Sequence, residues 1–357
     1  MDPVAKRKWP RSGLETSVMG FGAAPIGNIF RPISEEDSAA LIKAAWDAGV
    51  RYFDTAPMYG HGLSEVRCGQ GLRWYPRDQF VLSTKVGRLL KPRKRAEINF
   101  DPWVDGLPFE TVFDYSYDGT LRSIEDSLQR LALEHIDIAL IHDIDVFTHG
   151  ERQPEMFEAA MAGASKALLK LRDEGVVKAV GLGVNEWQVA HEAIRRQDFD
   201  CLLLAGRYTL LEQDALDGFL PLCEEQQVSV ILGGGYNSGI LATGAVPGAK
   251  YNYAPAPEAI LERVRKIEQV CQEYSVPLKA AALQFVLAHP AIPTNIPGVR
   301  TVAQLDDNLQ TFRADIPPAF WAELKRRELI RQDAPTSSDF PEVLSVLVAQ
   351  AESRTTK

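Results

Sequence analysis

Eight short apolar runs recur along the chain, most of them rich in β-branched residues, and each is followed by a segment of helical period. That alternation constrains the fold more than any other feature. The runs occupy residues 18–21, 52–55, 80–84, 136–141, 179–183, 201–205, 229–232 and 294–297. They are continuously apolar rather than alternating, the pattern of parallel strands covered on their outer face by helices. The segments between them are amphipathic. Within 34–48, Ala39, Leu41, Ile42, Ala45 and Trp46 fall on one helical face, and 64–72, 120–131, 154–174, 187–197, 218–226, 258–274 and 302–312 read the same way. Eight strand–helix pairs predict the α/β class and a single (β/α)₈ barrel.

The chain has 357 residues, enough for a barrel of ~250 residues with inserted loops. No composition shift or repeat divides it, so one domain spanning 1–357 is expected, with the barrel over about 17–312 and a C-terminal extension over 313–357. Residues 7–16, with Ser12 and Gly13 at a turn, predict a hairpin that plugs the barrel bottom. Three long connections, 86–118, 206–217 and 233–256, follow the third, sixth and seventh runs. Loops this long belong on the catalytic face of a barrel.

With 39 Lys and Arg against 48 Asp and Glu, the net charge is −9, which argues against nucleic acid or an anionic membrane as the partner. The basic run Lys91-Pro92-Arg93-Lys94-Arg95 opposes that trend and reads as a solvated loop or a phosphate-steering patch. No stretch approaches the ~20 apolar residues of a membrane span. The basic, polar N-terminus shows no secretory signal. Cys68, Cys201, Cys223 and Cys271 are too scattered for a zinc site or a disulfide frame. Together these features predict a cytoplasmic protein with reduced thiols.

The second run ends in Asp54-Thr55-Ala56-Pro57-Met58-Tyr59-Gly60, the third in Ser83-Thr84-Lys85, and the fourth in Ile141-His142. In a barrel these ends open on one face, so Asp54, Tyr59, Lys85 and His142 are expected to meet. The quartet suits hydride transfer, where the protein must give or take a proton at the substrate oxygen. A free tyrosine has a pKa of about 10. A nearby Lys85 ammonium is expected to lower it toward the working range, with Asp54 holding the lysine and His142 orienting the substrate.

These residues resemble the catalytic tetrad of the aldo-keto reductases, and the similarity runs from about Arg7 to about Phe312. The resemblance implies a nicotinamide cofactor, NAD or NADP. It assigns cofactor contacts to Gly22 in the first strand, Asn185 after the fifth, and Gly298, Arg300, Gln304 and Asn308 in the last segment. The chain departs from the family pattern at Val184, Ala205 and Gly233, where a Ser or Thr, a Gln and a stacking Tyr are usual. Arg207, Tyr236 and the backbone of Gly233 and Gly234 are expected to compensate. Gly298 and Gln304 stand where NADPH-preferring relatives carry Lys and Arg, so NAD is the expected preference.

Three stretches, 205–213, 236–241 and 114–118, look like the aldose 1-dehydrogenases acting on L-fucose, D-arabinose and related D-threo sugars. They are also similar to pyridoxal 4-dehydrogenase. This implies oxidation of a cyclic hemiacetal carbon to a lactone, with Tyr115, Tyr117, Arg207 and Asn237 holding a small sugar or pyridoxal-like substrate. The alternatives are an NADPH-dependent carbonyl reductase, a nucleotide-sensing regulatory subunit and an unrelated barrel lyase; a homo-oligomer is compatible with each. The sequence has no GxSxG, HExxH or P-loop, and the acidic loop with His142, Asp143, Asp145 and His149 is not read as a metal site.

Overall fold

The computed structural model of the protein describes residues 1–252, 254–337 and 339. The expected C-terminal extension therefore lies partly outside the described residues. Eight parallel strands form one sheet: β1 (Phe21–Gly22), β2 (Tyr52–Asp54), β3 (Val81–Val86), β4 (Ile138–His142), β5 (Ala179–Val184), β6 (Cys201–Ala205), β7 (Ser229–Gly233) and β8 (Thr294–Ile296). Neighbours in the sheet are neighbours in sequence. Parallel bridges Met19–Asn295 and Gly22–Gly298 join the first strand to the last, so the sheet closes into a barrel. The seam needs glycine, because a Cβ on Gly22 would lie 2.8 Å from the Ile296 carbonyl oxygen.

Side chains alternate across the strands. Val81, Ser83 and Lys85 point inward, whereas Leu82 and Val86 join the large apolar layer beneath the helices. The inner core contains Tyr52, Ile138, Leu140, Leu203, Ile231 and Ile296, with Trp9 and Leu14 from outside the barrel. Those two come from the expected hairpin, in which Lys6–Lys8 pairs antiparallel with Glu15–Ser17. Trp9 is fully buried, donates to Thr16 Oγ1 at 2.9 Å and packs edge-on to Tyr52. The hairpin thus seals one end of the barrel and leaves the strand C-termini as the open end.

Three features differ from the expected elements. The first strand is shorter and later than 18–21, because Met19 pairs only as an isolated bridge. Between β7 and β8, where one helix was expected, a second long helix, Leu278–Val286, follows Glu258–Glu273, and the short helix Ile240–Thr243 precedes both. Helix Leu278–Val286 is buried on nearly every side, so its sequence lacks the polar face that makes a helix legible. The 86–118 connection contains a second hairpin, Arg88–Pro92 against Phe109–Phe113. Its tip carries the basic run, where Arg93 pairs with Glu110 at 2.8 Å and Arg95 with Asp105 at 3.4 Å. These pairs neutralise two cations of that run. Among the described residues, no helix is long and apolar enough to cross a membrane.

Candidate active site

At the open end, β2, β3 and β4 bring the four expected residues together. Lys85 is almost wholly buried, and its ammonium donates to Asp54 Oδ2 at 2.8 Å, Asp54 Oδ1 at 3.0 Å and the Thr55 carbonyl at 2.8 Å. Ser83, two residues back on the same inward face, donates to Asp54 Oδ1 at 2.6 Å. Asp54 is thereby fixed by two neighbours on β3. Tyr59 comes from the turn after β2, with its ring centroid 4.7 Å from Lys85 Nζ. The His142 ring stands edge-on to it at 5.9 Å.

Electrostatics corrects one expectation. The Tyr59 pKa was expected to fall below that of a free tyrosine, and Lys85 does act in that direction. Burial instead dominates and pushes the hydroxyl up to about 12, with Lys85 opposing and Asp54 adding to the rise. A phenolate loses more hydration in this enclosed pocket than a single ammonium, itself shared with Asp54, returns. Burial also disfavours the charge on Lys85, but Asp54 and Tyr59 outweigh it and its pKa rises. His142 is held well below the usual histidine range by burial and by the cations Arg88 and Lys85. At neutral pH the pocket therefore holds a protonated Tyr59, a charged Lys85 and a neutral His142.

Of the cofactor candidates, Asn185 follows β5 and is anchored through its backbone N–H to Asp145 Oδ2 at 2.7 Å. Its side-chain amide donates to Asp143 Oδ1 and Asp145 Oδ2, both at 3.2 Å. Beside it, Gly206 and Gly234 adopt positive φ, 68° and 63°, and a Cβ on Gly234 would lie 3.1 Å from Gly206 N. The loops after β6 and β7 thus meet backbone to backbone. Together with Asn185, Ala205, Arg207, Asn237 and Phe147 they line a cleft whose floor is backbone where the two glycines meet. Gly233 lies inside β7, paired with Ala205, and leaves its backbone rather than a side chain at this strand end.

On the adjoining side, Gly22 and Gly298 face each other across the seam, and Arg300 donates to the carbonyls of Ile29 and Arg31. Gln304 Oε1 accepts from Arg300 N at 2.8 Å. Asn308 is buried and accepts from the Tyr236 hydroxyl at 2.9 Å, so the two are tied to each other. The Asn185 amide and the unobstructed backbone of Gly206, Gly234, Gly22 and Gly298 fit a nicotinamide dinucleotide, with its carboxamide and its anionic pyrophosphate.

The four expected substrate contacts divide. Arg207 and Asn237 line the cleft, with Arg207 donating to the Asn185 carbonyl at 2.9 Å and to Asn252 Oδ1 at 2.8 Å. Asn237 is buried and staples the two loops, accepting from Thr209 at 2.5 Å and donating to the Gly206 carbonyl at 3.1 Å. The two tyrosines require correction. Tyr115 is buried with its hydroxyl engaged by the carbonyls of His142 and Asp143 at 2.9 and 2.8 Å, which makes it a strut beneath the site. Tyr117 opens the helix Tyr117–Leu131, and its hydroxyl interacts with Lys170.

Four further residues bear on the pocket. Trp103, from the 86–118 connection, packs on Tyr59 with ring centroids 5.4 Å apart. Its indole N–H is buried and has no hydrogen-bond partner among the described residues. Phe147 is exposed at the cleft mouth, on a turn whose Val146 and Phe147 N–H groups both donate to Glu186. Arg88 and Asp143 form a buried pair at 2.8 Å beside His142. A carboxylate directly after His142 was a usable signal, since a buried charge demands a partner. Trp103 and Phe147 offered none, because only loop conformation brings them near.

The sequence profile described as "Aldo/keto reductase family" matches residues 18–328, nearly the whole barrel. The chain belongs to this family. A pyridoxal 4-dehydrogenase from Microbacterium luteolum is 44% identical over 336 residues, covering 91% of this chain and 98% of the relative. A D-threo-aldose 1-dehydrogenase from a Pseudomonas species is 40% identical over 324 residues, covering 89% and 96%. Among solved structures, a glycerol dehydrogenase from Gluconobacter oxydans superposes with a TM-score of 0.71 at 20% identity, covering 92% of this chain and 97% of that one. That likeness concerns the fold. As an aldo/keto reductase the chain is an oxidoreductase of alcohol and carbonyl groups, and the family relation implies a nicotinamide cofactor.

Proposed function

We propose that the protein oxidises the hemiacetal carbon of a small cyclic substrate, an aldose of the D-threo type or pyridoxal, to a lactone. The convergence of Tyr59 on Lys85, Asp54 and His142 carries this reading. The identities of 44% and 40% to relatives named for those two substrate classes support it. A bound oxidised nicotinamide supplies the hydride acceptor. The substrate loses a hydride from carbon and a proton from oxygen, and a carbon–oxygen double bond forms.

Tyr59, in its deprotonated form, takes the proton at its phenolic oxygen and becomes neutral; Lys85 stabilises the phenolate beforehand, and Asp54 fixes Lys85. Neutral His142 hydrogen-bonds the same substrate oxygen and sets the angle of approach. Asn185, Gly206, Gly234 and Gly298 hold the cofactor, and Arg207 and Asn237 bond substrate hydroxyls. The protonated state of Tyr59 favours a second reading, reduction of a carbonyl at neutral pH, in which a reduced nicotinamide would supply the hydride and Tyr59 donates the proton.

The test is a panel of L-fucose, D-arabinose and pyridoxal, followed by nicotinamide absorbance in both directions and by NMR for a lactone. The lactone should precede any free acid; a free acid formed first, or turnover only of open-chain aldehydes, would overturn the proposal. NAD is the proposed partner, because a 2′-phosphate finds Gly298 and Gln304 where charged contacts of about 1.5–3 kcal/mol each are missing. The nearby Arg300 is engaged by backbone carbonyls. A tenfold or greater preference in kcat/KM for NADP would reverse this assignment.

A further inference from the structure

Two opposite charges lie buried beside His142 without a part in the proton transfer. Arg88, the first residue of the second hairpin, is 5% exposed, and its Nη2 donates to Asp143 Oδ2 at 2.8 Å. The same carboxylate oxygen lies 3.5 Å from His142 Nε2. The other oxygen of Asp143 accepts from the Asn185 amide at 3.2 Å. One carboxylate therefore spans the residue assigned to the substrate oxygen and the residue assigned to the cofactor. Its backbone is held there in the left-handed region, at φ 49°. Asp143 N donates to the Gly183 carbonyl, and Tyr115 donates to the Asp143 carbonyl.

A buried ion pair gives little net stability over an apolar replacement of the same shape, so its presence calls for another use. An unpaired carboxylate at this distance would draw a proton onto His142. We propose that Arg88 and Asp143 are positioning residues, in which Arg88 neutralises Asp143 so that this carboxylate can orient Asn185 while leaving His142 uncharged.

The charges facing His142 are consistent with this assignment. Lys85 approaches from β3 and Arg88 from the hairpin, and both disfavour a charged imidazole, as burial does. Tyr59, from the turn after β2, is neutral at working pH, and Tyr115 contributes a hydroxyl bound to the His142 carbonyl. Asp143 is the carboxylate in closest contact with the imidazole, and Arg88 opposes its charge at shorter range than the imidazole does.

This inference rests on the proposed role of His142 only for its effect on turnover, and its direct readout needs no substrate. In ¹⁵N-histidine long-range spectra of the full-length protein, with His142→Gln to assign the signal, wild-type His142 should remain neutral to the acid limit of the fold. Arg88→Met should raise its pKa by about one pH unit or more, the scale of a newly unopposed charge at this range. Arg88→Lys should restore the wild-type titration, and so should Arg88→Met combined with Asp143→Asn. In turnover, Arg88→Met should gain an acid limb in kcat over the pH range of that titration.

If Arg88→Met does not fold, Arg88→Gln, which keeps a donor to Asp143 without the charge, carries the same expectation. An unmoved His142 titration in the neutral variant, or a raised one that persists in the double variant, overturns the inference. Wild-type protein without turnover on aldoses or pyridoxal would instead defeat the proposed reaction and leave this readout standing.

Discussion

At Tyr59 two effects of opposite sign compete, and burial outweighs the lysine, leaving the hydroxyl at about 12. The direction of turnover then fixes the sign of the pH dependence. Oxidation needs the proton-accepting form, which is rare at pH 7 and grows about tenfold per pH unit below the pKa, so oxidation should accelerate steadily from pH 7 to about 10. Reduction needs the protonated form and should stay flat over the same range. Initial rates in both directions across that range test this, and an oxidation plateau below about pH 8 contradicts it. Tyr59→Phe keeps the ring that packs on Trp103 and His142 but removes the acidic hydroxyl. It should lower kcat by at least ~10²-fold with cofactor affinity little changed. Near-normal turnover in this variant would falsify the proton-transfer role.

At the scale of elements, the site depends on how the ends of β4 and β5 are tied. Asp145, fully buried, caps the turn after β4 by accepting from Thr148 N at 3.0 Å. Its other oxygen holds the Asn185 backbone N–H and side-chain amide. Asp145→Ala leaves these donors without their acceptor. It should destabilise the protein by about 1–3 kcal/mol and weaken cofactor binding, because Asn185 loses its anchor. Urea unfolding and cofactor titration by protein fluorescence measure the two effects separately. Unchanged cofactor affinity would show that Asn185 is not held by this tie. The acidic loop that supplies Asp145 and Asp143 therefore acts as a bracket between strands, each carboxylate having partners of its own in the protein.

For the molecule as a whole, the barrel closes where Gly22 meets Ile296 and Gly298. The obstacle to a side chain at Gly22 is backbone, the Ile296 carbonyl, which cannot rotate away as a flexible side chain would. Gly22→Ala should destabilise by about 1–3 kcal/mol, the usual cost of overpacking. The same change should weaken cofactor binding if Gly22 and Gly298 line the adenosine side of the site. A variant of unchanged urea midpoint would mean that the seam relaxes freely. At the other end, the hairpin carrying Trp9 fills the barrel interior, so access to the catalytic pocket is confined to the strand C-termini.

The sequence by itself determined the strand count, the barrel and the Asp54–Tyr59–Lys85–His142 quartet. Parallel strands covered by helices leave a continuous apolar trace, and residues at successive strand ends share one face. It also exposed the plugging hairpin through its turn. The helix Leu278–Val286 was hidden because full burial erases helical amphipathicity. Tertiary structure alone decided the rest. Tyr115 and Tyr117 look like substrate contacts in one dimension, yet one hydroxyl is engaged by strand-end carbonyls and the other turns toward Lys170. The protonation of Tyr59 depends on how much water the surrounding loops exclude, and a list of neighbours by sequence carries no measure of that. Arg88 and Asp143 stand 55 positions apart, and only the folding of the second hairpin onto β4 makes them a pair.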